Sequence, residues 1–263
     1  MKKIIVGSFI LLTTLAVKAQ NIKLPVGKKL QVSTEMKNSM KMSIMGQDME
    51  IPMTSSTLSD ATVKEMNTNN AIITVTLKNV KGSLSVMGQE QTFSSDDADA
   101  KNNPTAAEAL KNLNKPEDII IENGKVKGTE KSVGSPSEMS NSGLVSLLFL
   151  TANDKDLKEG FNWATSVTNT DGTTNTNNTI TKLTKDEIEV TALSTVKYSG
   201  TKEQAGMQVK INLSGTTSTI SVYDVATNLL KASAQKSEMN GTMNIMGSDA
   251  PVSMTSTITV TVK

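Results

Sequence analysis

Three copies of one short pattern confine this chain to β structure: Ile44-Met45-Gly46-Gln47-Asp48, Val86-Met87-Gly88-Gln89-Glu90 and Ile245-Met246-Gly247-Ser248-Asp249. A glycine set between alternating apolar runs is a local signal of a β-hairpin, because it adopts the backbone conformations that tight turns require. The outer two copies extend further. Met42 to Thr57 and Met243 to Ile258 align without a gap and share Met, Ile, Met, Gly, Asp, Met, Thr and Ser. Similar hairpins therefore stand near both ends of the chain.

A type II′ turn at Gly46-Gln47 predicts Met45 opposite Asp48, Ile44 opposite Met49, Met42 opposite Ile51 and Met40 opposite Met53. One sheet face is then a stripe of Met and Ile. The same turn at Gly247-Ser248 pairs Ile245 with Ala250 and Met243 with Val252, and the alternation runs on through Met254, Ile258, Val260 and Val262. At Gly88-Gln89 it sets Val86 against Gln91 and Leu84 against Phe93. Alternation of this kind belongs to antiparallel strands that face the core on one side and water on the other. Further strands are expected at Ile119 to Ile121, Lys125 to Lys127, Thr179 to Leu183, Ile188 to Tyr198, Met207 to Leu213 and Thr216 to Tyr223, with Asn123-Gly124 as a type I′ turn. The expected fold is mainly β, a wide curved antiparallel sheet of about 10–12 strands, since so wide a sheet curls or splits rather than staying flat.

Two stretches break the alternation. Asn103-Pro104 opens a predicted helix with Ala106, Ala107, Ala109, Leu110 and Leu113 on one side. Ser135-Pro136-Ser137-Glu138 is a capping box leading into Met139, Leu144, Val145, Leu147, Leu148, Phe149 and Leu150. Two short helices packed on the apolar face of the sheet complete the expected half-barrel or open barrel. Asn169 to Asn178 reads as a polar loop.

Residues 1–19 have the layout of a secretory signal: Lys2 and Lys3, an apolar run from Ile4 to Ala16, then Val17-Lys18-Ala19. A single β-rich domain from residue 20 to 263 is expected beyond it. The apolar run is too short for a lasting transmembrane span, and no cysteine is present for lipid attachment or a disulfide. These features predict an exported protein, periplasmic or associated with the outer membrane or cell surface. Removing the three lysines of the signal takes the formal charge from +1 to −2, so nucleic acid is not an expected partner. One Trp, two Tyr and four Phe are too few for the aromatic girdles of an outer-membrane barrel.

Chemistry is limited by what is missing. With no His and no Cys, the chain has no Ser-His or Cys-His catalysis, no ordinary zinc site and no thiol chemistry. No recognisable carboxylate or Ser-Lys signature compensates, and the expectation is a non-enzymatic protein without a cofactor or metal. Thioethers are soft Cu(I) ligands, and Met40, Met42 and Met53 share a predicted face. Flexible Met as filler of apolar space explains the same alternation more simply. Asp96, Asp97 and Asp99, or Asp154 and Asp156, lack the glycine and bidentate Glu of a calcium loop and read as solvated acids. Trp163 reads as a core anchor near a strand start.

The order of Leu24-Pro25-Val26-Gly27, a glycine hairpin, Ile121-Glu122-Asn123-Gly124-Lys125-Val126-Lys127-Gly128 and Gly160-Phe161-Asn162-Trp163 resembles a family of uncharacterised secreted proteins of Gram-negative bacteria. That family often has an acid where this chain has Asn162. It is similar in turn to the LolA-like half-barrels, in which a curved sheet wraps helices over an apolar cavity. The resemblance implies binding of a lipid or acyl chain. It transfers no site residues. From the residues themselves, the expected lining for an apolar ligand is Met42, Met49, Met53, Leu148, Phe149, Met243 and Met254. The competing expectation is a structural or adhesive envelope module acting through a sheet edge or its Ser/Thr face.

Overall fold

The computed structural model describes residues 24–44, 47–67, 70–86, 89–97, 100, 110–122, 125–127, 141–150, 152, 156–169, 171–204, 207–245 and 247–263. Twelve strands form one antiparallel sheet. The first six are β1 (Lys29–Ile44), β2 (Gln47–Met66), β3 (Asn70–Val86), β4 (Gln89–Ser94), β5 (Pro116–Glu122) and β6 (Lys125–Val126). A helix, α1 (Asn141–Leu148), follows; then come β7 (Asn162–Asn169), β8 (Gly172–Leu183), β9 (Glu187–Gln204), β10 (Met207–Asp224), β11 (Leu230–Ile245) and β12 (Ser248–Val262). The secretory-signal expectation falls outside the described residues.

Neighbour order is β6-β5-β3-β2-β1-β12-β11-β10-β9-β8-β7, with β4 paired to the far part of β3. The chain starts in the middle of the sheet and meanders to one edge. It then crosses through the segment that holds α1, and meanders back from the other edge until β12 pairs with β1. The similar end hairpins meet at this central seam, where Met36 faces Ile258, Met40 faces Met254 and Met42 faces Val252. Among the described residues β6 and β7 do not pair, so the sheet is open.

The expected alternation holds along the long strands. In β12, Ala250, Val252, Met254, Ser256, Ile258 and Val260 are buried, while Pro251, Thr255, Thr257 and Thr259 are exposed. The hairpin register differs from expectation in one consistent way. Ile44 pairs with Gln47, Val86 with Gln89 and Ile245 with Ser248, so the two-residue connections are Met-Gly and not Gly-Gln or Gly-Ser. Glycine stands second in the turn, and Gly247 has φ +86°, as type I′ and type II turns require at that position. Each pairing slides by two residues. A slide of two preserves the side-chain face, which is why the predicted apolar stripe survives the wrong turn type.

Two expectations about irregular segments are corrected. Asn169 to Asn178 is not a loop: Gly172 onward belongs to β8, paired with β7 on one side and β9 on the other. Its Asn and Thr side chains bond across the strands, as in Ser166 Oγ to Asn175 Oδ1 at 2.7 Å and Thr176 to Ser194 at 2.7 Å. Polar composition concealed a strand whose ladder neighbours are themselves polar. Likewise, the two segments expected at Met207 to Leu213 and Thr216 to Tyr223 are one strand, β10, continuous through Ser214-Gly215. The described residues contain one helix and not two. Most of the helix expected after Asn103-Pro104 lies outside them: Leu110 is helical, and Lys111 to Asn114 form a turn in which Asn114 takes φ +57°. The Ser135-Pro136 cap expected for α1 also lies outside them.

Alpha1 fills one end of the sheet, here called proximal. Leu144, Val145 and Leu148 form its buried face, and Phe149 and Leu150 continue the contact. Phe149 bridges to Leu229, Leu150 N donates to Asn228 O at 3.1 Å, and Tyr223 Oη donates to Leu147 O at 3.4 Å, which fixes the helix end on the β10–β11 turn. Around it pack Val32, Val63, Ile73, Ile119, Ile180, Ile188, Leu230 and Val260, in one contiguous cluster. Ile119 on β5 and Ile180 on β8 lie near opposite edges, which a flat sheet of this width would hold roughly 40 Å apart at the usual strand spacing. Sharing one core requires the sheet to curl around α1. Register shifts at Val63/Glu65, Ile180/Lys182 and Val222/Tyr223 sit at this end and add local twist. Trp163 joins the rim of the cluster, partly buried and stacked on Phe161 at 5.8 Å between ring centroids, in agreement with its reading as an anchor.

Candidate ligand-binding cleft at the distal end

The strands run on past α1 by several residues toward the Met-Gly hairpins, at the end here called distal. Among the described residues no helix residue takes part there. A second apolar cluster is built from Met42, Val196, Tyr198, Leu213, Met239, Val252 and Met254, with Met40, Met49, Ile51, Ile211 and Met243 packed on it. Six of these twelve side chains are methionine. They lie in two adjacent rows across the sheet. One runs Ile51, Met40, Met254, Met239 and Gly215; the next runs Met49, Met42, Val252, Gly241 and Leu213.

Curvature here comes from glycine and not from bulges. A Cβ on Gly241 would overlap the carbonyl of Asn212, one on Gly215 that of Glu238, and one on Gly172 that of Lys197. Each glycine lets its strand bend toward the inner face, the role expected of glycine inside a curved sheet. Tyr198 covers Gly200, and Phe93 covers Gly82, its cross-strand partner. Aromatic rings thereby restore the contact that a missing side chain would leave open.

An open cleft of about 730 Å³ lies among β1, β2, β11 and β12 at this end, lined by Lys41, Met42, Ser43, Asp48, Met49, Glu50, Asn240, Gly241, Pro251, Val252 and Ser253. Its rim is polar and charged, made of Lys41, Ser43, Asp48, Glu50, Asn240, Pro251 and Ser253 at outward strand positions, and only Met42, Met49, Gly241 and Val252 come from inward ones. On that rim Ser39 Oγ donates to Glu50 Oε1 at 2.7 Å and Lys41 lies 3.7 Å from the same carboxylate. The Ser39 hydrogen bond, followed by the charge of Lys41, holds Glu50 below the usual carboxylate range.

The seven residues expected to line one site divide between two. Met42 and Met49 touch the cleft, while Met243 and Met254 belong to the distal cluster beside it. Met53 is half-buried and faces Asn38. Leu148 and Phe149 lie in the proximal core, at 0% and 3% exposure. Sequence reasoning did not bring in Val196, Tyr198, Leu213 or Met239. Their signal was available in the alternation of their own strands, but it does not say which strands converge.

Charge sets the chemistry of the inner face. From Leu30 to Val262, the inward positions of the paired strands hold no Asp, Glu, Lys or Arg, apart from Glu117 near one edge and the register position of Lys202, paired with Val209. The ion pairs lie outward, as in Lys64–Asp118 at 2.5 Å, Lys231–Glu187 at 2.6 Å and Lys236–Glu238 at 2.8 Å. Among the described residues no group of His, Cys, Asp and Glu is placed to hold a metal ion. A face of this kind accommodates neutral molecules and offers nothing to compensate a buried ion.

Between the two apolar clusters the inner face carries a row of small polar side chains. Asn38 faces Ser256, Ser256 faces Ser237, Ser237 faces Thr217, Thr217 faces Ser194 and Ser194 faces Thr176. Thr217 and Ser237 bond at 2.9 Å and Thr176 and Ser194 at 2.7 Å. Asn38 and Ser256 differ: they are 6% and 2% exposed, and Asn38 Nδ2, Asn38 Oδ1 and Ser256 Oγ find no hydrogen-bond partner in the protein. Each such atom ordinarily costs about 1–3 kcal/mol.

No family model and no curated protein matches the sequence. Solved structures do. A lipovitellin structure, described by its lipid–protein interactions, superposes with a TM-score of 0.52 at 11% identity, over 91% of this chain and 25% of that one. The chain thus spans about a quarter of that protein. An outer-membrane channel from Pseudomonas putida F1 matches over 91% of this chain and 97% of its own at 10% identity, with a TM-score of 0.25. A DUF1329 family protein from Desulfovibrio piger matches over 88% and 83% at 9% identity, with a TM-score of 0.19. At such identities the lipovitellin likeness speaks to the fold, a wide antiparallel sheet.

Proposed function

We propose that this is an exported, non-enzymatic protein that binds a neutral apolar ligand, such as a lipid or acyl chain, at the methionine-lined distal end of its curved sheet. The observation that carries this reading is the methionine-rich inner cluster of Met40, Met42, Met49, Met239, Met243 and Met254, beside which the inner face of its central strands holds no charged group. Methionine walls adapt to varied apolar shapes, because the side chain is unbranched and polarizable. The secretory layout of residues 1–19 supports export, and the lipid named with lipovitellin and the LolA-type resemblance both favour the same ligand class. The space between sheet and α1 is not the binding site in this reading, since Val145, Leu148, Ile73 and Ile180 are buried completely against one another there.

Native mass spectrometry of protein purified without detergent should show a co-purified neutral lipid. Met49→Asp, half-exposed at the cleft, should keep the fold and lose that lipid, because a carboxylate would then meet apolar ligand. Retention of the lipid by a folded Met49→Asp protein would refute the location. A second reading, a structural module that joins a partner through its sheet edge, is favoured by β7, an edge strand containing neither charge nor proline. Proline at Thr165 or Val167 should abolish self-association or partner binding if that reading is the true one.

A further inference from the structure

Asn38 and Ser256 stand directly opposite each other at the central seam, both more than nine-tenths buried and inward, and neither bonds to the other or to any neighbouring group. Unpaired polar atoms are uncommon in a packed interior, and each one calls for a cause. The two lie where the solid proximal core gives way to the methionine cluster. Asn38 is flanked on its strand face by Met36 and Met40, and Ser256 by Met254 and Ile258. Along β1, Asn38 lies four residues from Met42 in the inner methionine cluster, about 13 Å at the usual rise of a strand. The side chains between them are flexible methionines, which rearrange at little cost compared with branched residues.

From this geometry we infer that Asn38 and Ser256 form a hydrogen-bonding subsite for one uncharged polar group, a hydroxyl or an amide, at the end of an otherwise apolar ligand. The inference deepens the reading of the distal end as an apolar-ligand site and rests on it. An amide side chain presents a donor and an acceptor together, and a serine hydroxyl presents either. Hydroxyls and amides complement that set; a hydrocarbon leaves it unpaired. A carboxylate brings a charge to a face with no cation at the inward positions beside the pair, and an ion buried without a partner is strongly disfavoured. The ligand class is therefore a long-chain alcohol or amide, or a larger neutral molecule ending in such a group.

A matched series tests this: dodecane, 1-dodecanol, dodecanamide and dodecanoate, each displacing a fluorescent apolar dye from the full protein and from Asn38→Leu and Ser256→Ala. The wild type should bind the alcohol and the amide about tenfold more tightly than dodecane or dodecanoate, the effect of a pair of well-made hydrogen bonds. Asn38→Leu should erase that preference, so that dodecanol and dodecane bind alike, and raise Tm, because an unpaired amide is replaced by an apolar group of similar size. Ser256→Ala gives the same readout should Asn38→Leu misfold. Equal binding of dodecane and dodecanol by the wild type would sink the subsite but leave the apolar-ligand reading standing. A preference retained by the folded variants would also sink it, and would leave the pair as a seat for buried water only. If none of the four probes binds, both readings fall.

Discussion

The two ends of this sheet solve the same packing problem with different materials. At the proximal end α1 supplies a second layer, and the core is made of branched side chains such as Val32, Ile73, Ile180, Leu148 and Val260 that are almost wholly out of water. At the distal end no second layer stands among the described residues. The sheet bends on Gly172, Gly215 and Gly241 until its own inner face supplies the contacts, and methionine fills the uneven space. A helix inserted into a curved sheet permits shape-specific packing. A sheet bent over its own inner face leaves an irregular interior that flexible side chains fit best, and the same flexibility lets that interior rearrange.

The contrast is tested most directly by truncation. Leu148→Ala should cost about 3–5 kcal/mol in urea unfolding, whereas Met254→Ala should cost about 2 or less, because neighbouring methionines relax into the space. Equal costs would mean that the distal cluster is packed as rigidly as the proximal core.

A proximal pH effect follows next in size. Burial, only partly opposed by a hydrogen bond with Ser221, pushes Tyr223 up from 10.0 to about 12. The folded value exceeds the unfolded one, so its contribution is complete below pH 10 and disappears as pH rises through 12. Thermal unfolding across that window should show a loss of roughly 2–3 kcal/mol, absent in Tyr223→Phe.

The distal bend gives a smaller effect. Gly241→Ala should destabilise by about 1–3 kcal/mol, since its Cβ must displace the backbone at Asn212. Gly247→Ala, at φ +86° on the hairpin tip, should cost about 1 kcal/mol. If Gly241→Ala proves neutral, curvature has another source.

Smallest of all are the outward ion pairs. Asp118 is held below its ordinary value chiefly by the Lys64 hydrogen bond and then by that from Thr74. Its contribution is present above the unfolded pKa and is lost as pH falls through the lowered folded value. Because the pair is exposed, Asp118→Asn should change the acid limb of the stability profile only slightly, and less still in high salt.

How far the chain could be read beforehand depended on the length scale of each feature. Alternation is local, so the inner face of β1, β2 and β12 followed from Met40, Met42, Ile51, Met254 and Ile258. A two-residue slide in the hairpins did not disturb it, because the side-chain period is two. Strand neighbours are not local. Nothing in Leu148 or Met42 says that one will face a helix-filled core and the other a cluster of methionines, and the single expected lining therefore divided. The Asn-rich stretch before Ile180 concealed a strand, since the polar ladders that hold β7 to β8 lack the apolar alternation used to recognise strands. Asn38 and Ser256 carry a local signal of their own: each is a polar residue at an inward position within an apolar series.

The seam between β1 and β12 also governs how this molecule comes to exist. Val32 pairs with Val262 across more than 200 intervening residues, whereas the other long strand pairs join neighbours in sequence. Each meander gains its contacts early through short loops, but the seam must close nearly the whole chain in one step, and non-local closures of that kind are slow. Until it forms, β1 and β12 are both open edges exposed to other chains. Refolding should show two meanders forming first and a slow final zippering, and dilution should favour that last step over aggregation.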